Sequence, residues 1–256
     1  MTRADPNEMS FFEHLEELRG RLIKSVLIWI VVLVVCLIFM KPIFDFLSQP
    51  WFSVLEERPF AAVDIKEPFY THLKAAFWVS IILSAFLVFY QIWAFISPGL
   101  EKAEKNFARP FLAFMCIFFF LGCWFCFSVV FPEVLTFLRE WNQGGFEAYT
   151  RDKYFSLLFG LVMGMGACFQ TPMVVFLLAR VGLVTPRFLM AKFKYAVLII
   201  FVIAAFITPT PDAMTLMLLA IPMIGLYLLG VGAAFVVVRK KKEKSDETAV
   251  SVGDEA

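Results

Sequence analysis

The chain consists of long apolar runs separated by short polar stretches. Continuous apolar runs without alternation favour helices over strands, and an open sheet edge cannot face lipid. About 20 helical residues cross the roughly 30 Å of bilayer hydrocarbon. Six runs are candidates for such spans: 22–40, 70–96, 108–131, 154–179, 193–208 and 213–238. The pattern therefore predicts an all-α integral membrane protein with six transmembrane helices.

The polar stretches divide the chain into three regions. Residues 1–21 are predicted to form an amphipathic cytoplasmic helix, because apolar residues recur at helical spacing from Phe11 to Leu22. Residues 22–238 hold the six spans. Residues 239–256 mix blocks of charge with small residues, which is typical of a disordered tail.

The connections between the spans differ in length. On the side opposite the termini, residues 41–69 and 132–153 are predicted to form two substantial loops. The fifth span is short, because its apolar part from Tyr195 to Thr208 makes only about 21 Å of helix. A span this short predicts either local thinning of the bilayer or access of water to one of its ends.

The distribution of positive charge predicts the orientation in the membrane. With six spans, both termini lie on the same side. Most of the 23 Lys and Arg residues fall in the stretches on that side. Because cytoplasmic loops carry an excess of Lys and Arg, both termini are predicted to be cytoplasmic.

Composition supports a membrane protein and argues against several other classes. Apolar residues make up 61% of the chain and charged residues 18%, against about half and a quarter in soluble domains. The five cysteines lie in apolar runs, so the C-x-x-C of Cys123 and Cys126 is interpreted as packing rather than metal or redox chemistry. With no nucleotide-binding glycine pattern and no catalytic triad spacing, we expect no enzyme activity, no metal or other cofactor and no nucleic-acid partner.

Acidic residues gather at two places on the predicted cytoplasmic side, the stretch "SFFEHLEELRGRL" at 10–22 and the loop over 97–110. These acids are Glu13, Glu16, Glu17, Glu101 and Glu104. The first set has an ordinary interpretation as a capped, solvated helix, because Glu13 fits a capping box and Glu17 precedes Arg21 by one turn. Together the two sets predict an anionic pocket for a ligand with fixed positive charge.

Four stretches carry a resemblance to a known family. They are "EHLEELRGRL" at 13–22, "FYQIWAFISPGLEKAEK" at 89–105, "CFQTPMVVFLLARVGLVTP" at 168–186 and "FITPTPDAMTLMLLAIPM" at 206–223. Their order and spacing resemble the TatC family, the multi-spanning receptor subunit of the twin-arginine (Sec-independent) protein translocase. The resemblance implies six helices in a curved, glove-like concave bundle. It also implies export of folded proteins across the cytoplasmic (inner) membrane, without enzyme activity.

The resemblance assigns the acids a ligand, the paired arginines of a substrate's signal peptide. It places the binding carboxylates at Glu17 and Glu104, with Glu101 as a possible helper. Guanidinium forms planar, paired hydrogen bonds with carboxylate that an ammonium cannot make. Arg19 and Lys105 are expected to keep these carboxylates ionised and positioned. Relatives usually carry an aromatic residue at position 101 and His at 103, where this chain has Glu and Ala.

The fourth span contains a polar group that the resemblance links to partner subunits. Gln170 is followed by Thr171 and Pro172 well inside the apolar run. A buried amide is costly unless it is hydrogen bonded, so one interpretation is a bond that holds helices of this chain together. The other, implied by the family, is docking of a single-span TatA/TatB-type subunit. Self-association in a larger complex is also expected.

Three residues are expected on the outer side. Glu67 and Asp212 open the second and sixth spans, where an acid stabilises a helix start. Glu67 also matches an acid found in some relatives. Pro50 is expected to bend or end a helix in the first outer loop.

Two other functional classes compete with a receptor. A small-solute or ion-coupled transporter would carry a charge pair or a broken helix at the midplane, facing its substrate. An intramembrane enzyme would carry a Ser/His or paired-Asp arrangement within its spans. No Asp, Glu, Lys or Arg lies deep in the six apolar runs, which argues against a carrier.

Overall fold

The structure is a computed structural model. It describes the backbone of residues 11–54, 60, 64–96, 108–141, 150–208 and 212–253. Side chains are described for residues 15–54, 60, 64–95, 110–140, 150–208 and 212–236. The described part is almost entirely helical and contains no β-strand, so the predicted all-α class is confirmed.

The described helices follow one another along the chain with short connections. They are α1 (Phe11–Ile38), α2 (Met40–Leu47), α3 (Gln49–Val54), α4 (Glu67–Ile96), α5 (Ala108–Phe125), α6 (Phe131–Trp141), α7 (Arg151–Cys168), α8 (Thr171–Val181), α9 (Pro186–Ala191), α10 (Phe193–Ile207) and α11 (Ala213–Gly253), with a π-helical turn (Cys126–Val130) between α5 and α6.

The described residues contain the six predicted apolar spans. Five stretches are long and apolar enough to cross a membrane: Leu15–Ile38, Glu67–Phe95, Pro110–Glu140, Arg151–Val181 and Ala213–Val236. The sixth is α10, whose 15 residues make about 22 Å of helix. This is less than the roughly 30 Å of hydrocarbon, so the prediction of a short fifth span is confirmed.

Two predicted boundaries at the ends of the chain differ from the structure. The first span does not begin anew at residue 22, because α1 is continuous from Phe11 to Ile38. A single Gly20 is only a weak helix breaker, at about 0.5–1 kcal/mol. At the other end, α11 continues to Gly253, where the sequence predicts a disordered tail over 239–256. Lys and Glu are good helix formers, so the loss of apolar residues there does not end the helix.

The two outer stretches predicted as loops contain helices. The stretch 41–69 holds α2 and α3, and the stretch 132–153 holds α6. These helices are too short to stand out by hydropathy. α2 is nevertheless amphipathic and buries Phe44 and Leu47. Burial of such a face stabilises a short helix that would not persist alone in water.

The third span contains a π-helical turn shortly before Pro132. Proline has no N–H, and its ring clashes with the carbonyl four residues earlier in an α-helix. The wider π-helical turn over Cys126–Val130 places that carbonyl differently, and α6 then runs on from Phe131. The helix therefore continues past the predicted end of the span at residue 131.

The helices form two compact units. The first contains α1, α2, α4 and the beginnings of α5 and α7. In it α1 and α4 run antiparallel, and the indole Nε1 of Trp29 donates to Ser80 Oγ at 3.0 Å. The edge of Phe77 meets the Trp29 ring with 5.5 Å between centroids. These two contacts help to fix the register of this helix pair.

An aromatic cluster joins α2, α4 and α7 in the same unit. The ring of Phe44 stacks on His72, with 4.2 Å between centroids, and lies 4.9 Å from Phe155. The hydroxyl of the buried Tyr154 donates to the carbonyl of Leu47 at 2.8 Å. This bond satisfies a carbonyl at the end of α2, so the cluster both buries α2 and completes its last turn.

The second unit contains most of α3, the later parts of α5 and α7, and α6 with α8 to α11. Its helices approach closely at glycines. A Cβ placed on Gly230 of α11 would lie 2.8 Å from Pro172 Cα of α8. A Cβ on Gly122 of α5 would lie 2.7 Å from the Phe169 side chain. Small residues permit such approach, on which helix packing in membranes depends.

Further contacts of the second unit involve polar groups. The hydroxyl of Tyr227 on α11 donates to the carbonyl of Leu189 on α9 at 3.0 Å. Arg139 Nη1 on α6 donates to the carbonyl of Val54 at the end of α3 at 2.6 Å. Each bond satisfies a backbone carbonyl of a short helix.

Gly230→Ala is expected to destabilise the fold, because the new methyl group meets the backbone of Pro172 rather than a movable side chain. Overpacking of this kind costs about 1–3 kcal/mol. Gly225→Ala is the matched control on the same helix, since no atom lies within 4 Å of its added Cβ. The measurement is unfolding by denaturing detergent from mild micelles. Equal stability of the two variants would contradict the close α8–α11 contact.

Candidate functional site

Glu17 is the predicted binding carboxylate that lies within the described residues. Its side chain is 18% exposed, and its Oε1 accepts a hydrogen bond from Arg21 Nη2 at 3.1 Å. This confirms the predicted pair one turn apart on α1. The other oxygen, Oε2, is shielded from solvent and has no hydrogen-bond partner among the described residues. One half of the carboxylate is therefore engaged with Arg21 and the other half is not.

Arg21 connects this carboxylate to a second helix. Its Nη1 donates to Gln91 Oε1 on α4 at 3.4 Å, and Gln91 is only 9% exposed. The guanidinium thus lies between a charged acceptor and a neutral amide. Sequence reasoning did not single out Gln91, although an amide near the end of an apolar run is a signal of a polar contact between helices.

The other predicted members of this site are placed differently. Arg19 is exposed on α1, and it is Arg21 rather than Arg19 that contacts Glu17. Two residues along a helix correspond to a rotation of about 200°, which separates their faces. Glu101, Glu104 and Lys105 lie outside the described residues, as does the side chain of Glu13. Their assignment remains a prediction.

The fourth span is interrupted at the predicted partner-docking residues. α7 ends at Cys168 and α8 begins at Thr171, so the span predicted as one helix over 154–179 is broken at residues 169–170. Pro172 has no N–H for the carbonyl of Cys168. The hydroxyl of Thr171 donates to that carbonyl instead, at 2.6 Å. The backbone amides of Met173 and Val174 both bond to the carbonyl of Gln170, at 3.0 Å each.

These contacts show that Gln170, Thr171 and Pro172 have different roles. Pro172 is buried and packs on Gly230 of α11, so it belongs to the packing within this unit and does not form a free docking surface. The hydroxyl of Thr171 is used inside its own span. Gln170 is half-buried at the break and makes no capping bond to α8 through its side chain. Of the three, Gln170 is the candidate for contact with a partner.

Glu67 joins two helices rather than one. It lies in the first turn of α4, as expected for an acid at a helix start. Its Oε1 also accepts from the backbone N–H of Asp152 in the first turn of α7, at 3.2 Å. Asp152 in turn pairs with Lys74 of α4, with 2.7 Å between Nζ and Oδ1. Sequence reasoning missed Asp152 and Lys74, because nothing local pairs residues so far apart in the chain.

The structure gives Asp212 and Pro50 structural roles. The carboxylate of Asp212 accepts from the backbone N–H of Thr215 at 2.6 Å, which confirms the predicted cap of α11. Pro50 is buried in the first turn of α3, just after α2 ends at Leu47. A proline in the first helical turn removes no helical hydrogen bond, and here it accompanies the start of a new helix.

Taken together, these features define a multi-pass α-helical membrane protein. Residues 13–222 match the family model described as "Sec-independent protein translocase protein (TatC)". The chain therefore belongs to the TatC family, as the resemblance indicated.

Individual relatives agree over almost the whole chain. The "Sec-independent protein translocase protein TatC" of Koribacter versatilis is 37% identical over 243 residues, 93% of this chain and 90% of the relative. That of Helicobacter pylori strain J99 is 36% identical, covering 91% of this chain and 92% of the relative. The structure is similar to "Crystal Structure of Twin Arginine Translocase Receptor- TatC", with a TM-score of 0.75 and 31% identity, covering 88% of this chain and 100% of that chain.

The cap of α11 provides a test of the structural role of Asp212. Asp212→Ala is expected to destabilise the protein by about 0.5–2 kcal/mol, because Ala cannot accept the Thr215 N–H bond. Asp212→Asn is the matched control, since Asn caps a helix about as well as Asp. Detergent-induced unfolding measures both variants. If Asp212→Asn loses as much stability as Asp212→Ala, the carboxylate has a role beyond capping.

Proposed function

We propose that this chain is the receptor and core subunit of a twin-arginine translocase. It binds twin-arginine signal peptides at the cytoplasmic face of the inner membrane, where both of its termini lie. It also recruits single-span TatA/TatB-type subunits, so that folded proteins are exported. Family membership and the similar receptor structure support this proposal.

The observation that carries the signal-binding role is the carboxylate of Glu17. It is largely shielded from solvent, and its Oε2 is not engaged by any described residue. A guanidinium complements such a group, because it donates two parallel hydrogen bonds to the two carboxylate oxygens. An ammonium offers a compact point charge without this geometry. A signal with two arginines therefore matches an acidic pocket that contains Glu17 and Glu104.

The partner-binding role is assigned to Gln170. Gln170 is half-buried at the break of the fourth span, within an apolar stretch. Within a bilayer such an amide favours a polar group on a neighbouring helix. A single-span subunit with its own polar residue provides that group.

Glu17→Gln is expected to weaken binding of a twin-arginine signal peptide by about 1.5–3 kcal/mol, roughly ten- to hundredfold, since it keeps the shape and removes the charge. Glu16→Gln is the matched control, because Glu16 is the neighbouring acid and is exposed. Site-specific crosslinking of one peptide to protein in membranes measures both, alongside Glu104→Gln and Glu13→Gln. We expect Glu104→Gln to resemble Glu17→Gln, and Glu13→Gln to cost helix stability without loss of selectivity.

The same peptide with lysines in place of its arginines tests specificity. Equal crosslinking of the arginine and lysine peptides to the wild-type protein would contradict the signal-receptor function. Equal behaviour of Glu16→Gln and Glu17→Gln would contradict the assigned pocket. Absence of labelling at residues 10–22 and 97–110 would favour the small-solute transporter instead.

Gln170→Leu is expected to leave folding and signal binding nearly unchanged and to weaken partner association by about 1 kcal/mol, roughly fivefold, because one interhelical hydrogen bond is lost. Gln170→Glu is the control, since it keeps a polar group of the same size at this position. Crosslinking between the fourth span and a co-expressed single-span subunit measures both variants. Unchanged crosslinking in Gln170→Leu would overturn the docking role of Gln170.

A further inference from the structure

The ion pair between Glu17 and Arg21 contains one hydrogen bond, whereas a carboxylate and a guanidinium can form two. Arg21 Nη2 bonds to Oε1 at 3.1 Å, while Oε2 has no hydrogen-bond partner among the described residues. The strong arrangement of these two groups is bidentate, with both carboxylate oxygens engaged. The pair in α1 is therefore a weak version of the contact that a signal arginine is proposed to make at the same carboxylate.

Arg21 also has a second acceptor. Its Nη1 donates to Gln91 Oε1 at 3.4 Å, longer than the usual 2.7–3.2 Å of an N–H···O bond. Gln91 is held nearly buried on α4, so this acceptor stays in place when the Arg21 side chain moves. When Arg21 leaves Glu17, its guanidinium retains an acceptor at the α1–α4 contact.

From this geometry we infer that Arg21 is a resident competitor for the signal-binding carboxylate. This inference rests on the proposed function. Without a signal peptide, Arg21 occupies Oε1 of Glu17. A signal arginine that engages both oxygens of Glu17 displaces Arg21, which then remains bound to Gln91. Arg21 thus lowers the affinity for the signal and returns to Oε1 when the signal leaves.

The size of this effect follows from the kind of ion pair. Pairs four residues apart on a partly exposed helix are weak, and Arg21 is 28% exposed. The competition therefore reduces signal affinity by only about two- to fivefold. A weak competitor suits a receptor that must release its ligand.

A positioning role for Arg21 predicts the opposite change in affinity for the signal peptide when Arg21 is replaced. If Arg21 only oriented Glu17, its loss would weaken signal binding. If Arg21 competes, its loss strengthens binding. Arg21→Gln is the suitable substitution, because Gln remains polar and loses the charge. Lys24→Gln is the charge-matched control, since Lys24 is exposed on the same helix two turns from Glu17.

The experiment measures the dissociation constant of a fluorescent twin-arginine signal peptide for the full-length protein in detergent micelles. Arg21→Gln is expected to bind it about two- to fivefold more tightly than wild type. Part of any tightening is general electrostatics, which Lys24→Gln shares. In 1 M salt, where the Debye length is about 3 Å, the Lys24→Gln effect should vanish, whereas part of the Arg21→Gln effect should remain because Arg21 contacts Glu17 directly. Thermal unfolding of each variant verifies folding.

Gln91→Leu supplies an independent arm if Arg21→Gln does not fold. The Arg21–Gln91 bond is long, at 3.4 Å, while Arg21 also contacts Glu17, and we expect it to shorten once Arg21 leaves Glu17. Loss of this acceptor then costs the displaced state more than the resting state, so Gln91→Leu alone should weaken signal binding. In the Arg21→Gln background the same change should have no effect. Additive effects of the two substitutions would overturn the competitor role.

The outcomes separate the two proposals. If the wild-type protein binds the arginine peptide no better than its lysine version, the receptor function fails. If it prefers the arginine peptide, but Arg21→Gln weakens binding or matches Lys24→Gln in 1 M salt, only the competitor role fails.

Discussion

Within a bilayer there is no water to satisfy a polar group, and the structure meets this constraint with bonds inside the chain. Hydroxyls in or beside the described spans bond to carbonyls one turn earlier. Ser25 bonds to Arg21, Ser80 to Phe77 and Thr208 to Ala204. Where proline removes a donor, the Thr171 hydroxyl replaces it. Other polar groups among the described residues, such as Gln91, bond to a group on another helix.

The sequence predicts the helices that lipid requires better than those that tertiary packing stabilises. Long apolar runs are visible in the chain, so the six spans and the short α10 are predicted correctly. The helices α2, α3 and α6 are not, because their stability depends on burial of faces such as that of Phe44. The end of α11 is missed for a different reason. Hydropathy reports where apolar residues stop, whereas the helix continues as long as its residues favour helical backbone.

A similar distinction applies to the residues of the candidate site. Local relations are predictable, because Glu17 and Arg21 are one turn apart and Asp212 directly precedes its helix. Relations between distant segments are not, so Gln91 beside Arg21 and Asp152 beside Lys74 come only from the fold. Burial is equally invisible in sequence. Pro172 lies in a stretch that resembles a docking region, yet it packs against a glycine of the same unit.

The π-helical turn over Cys126–Val130 has a consequence for comparing this chain with its relatives. Such a turn behaves as an α-helix into which one residue has been inserted. One residue turns the following helix by about 100° about its axis. The insertion therefore determines which residues of α6 face its neighbours. In this orientation Arg139 reaches the carbonyl of Val54. A relative that lacks one residue in this segment therefore presents a different side of its third span, even where every flanking residue is the same.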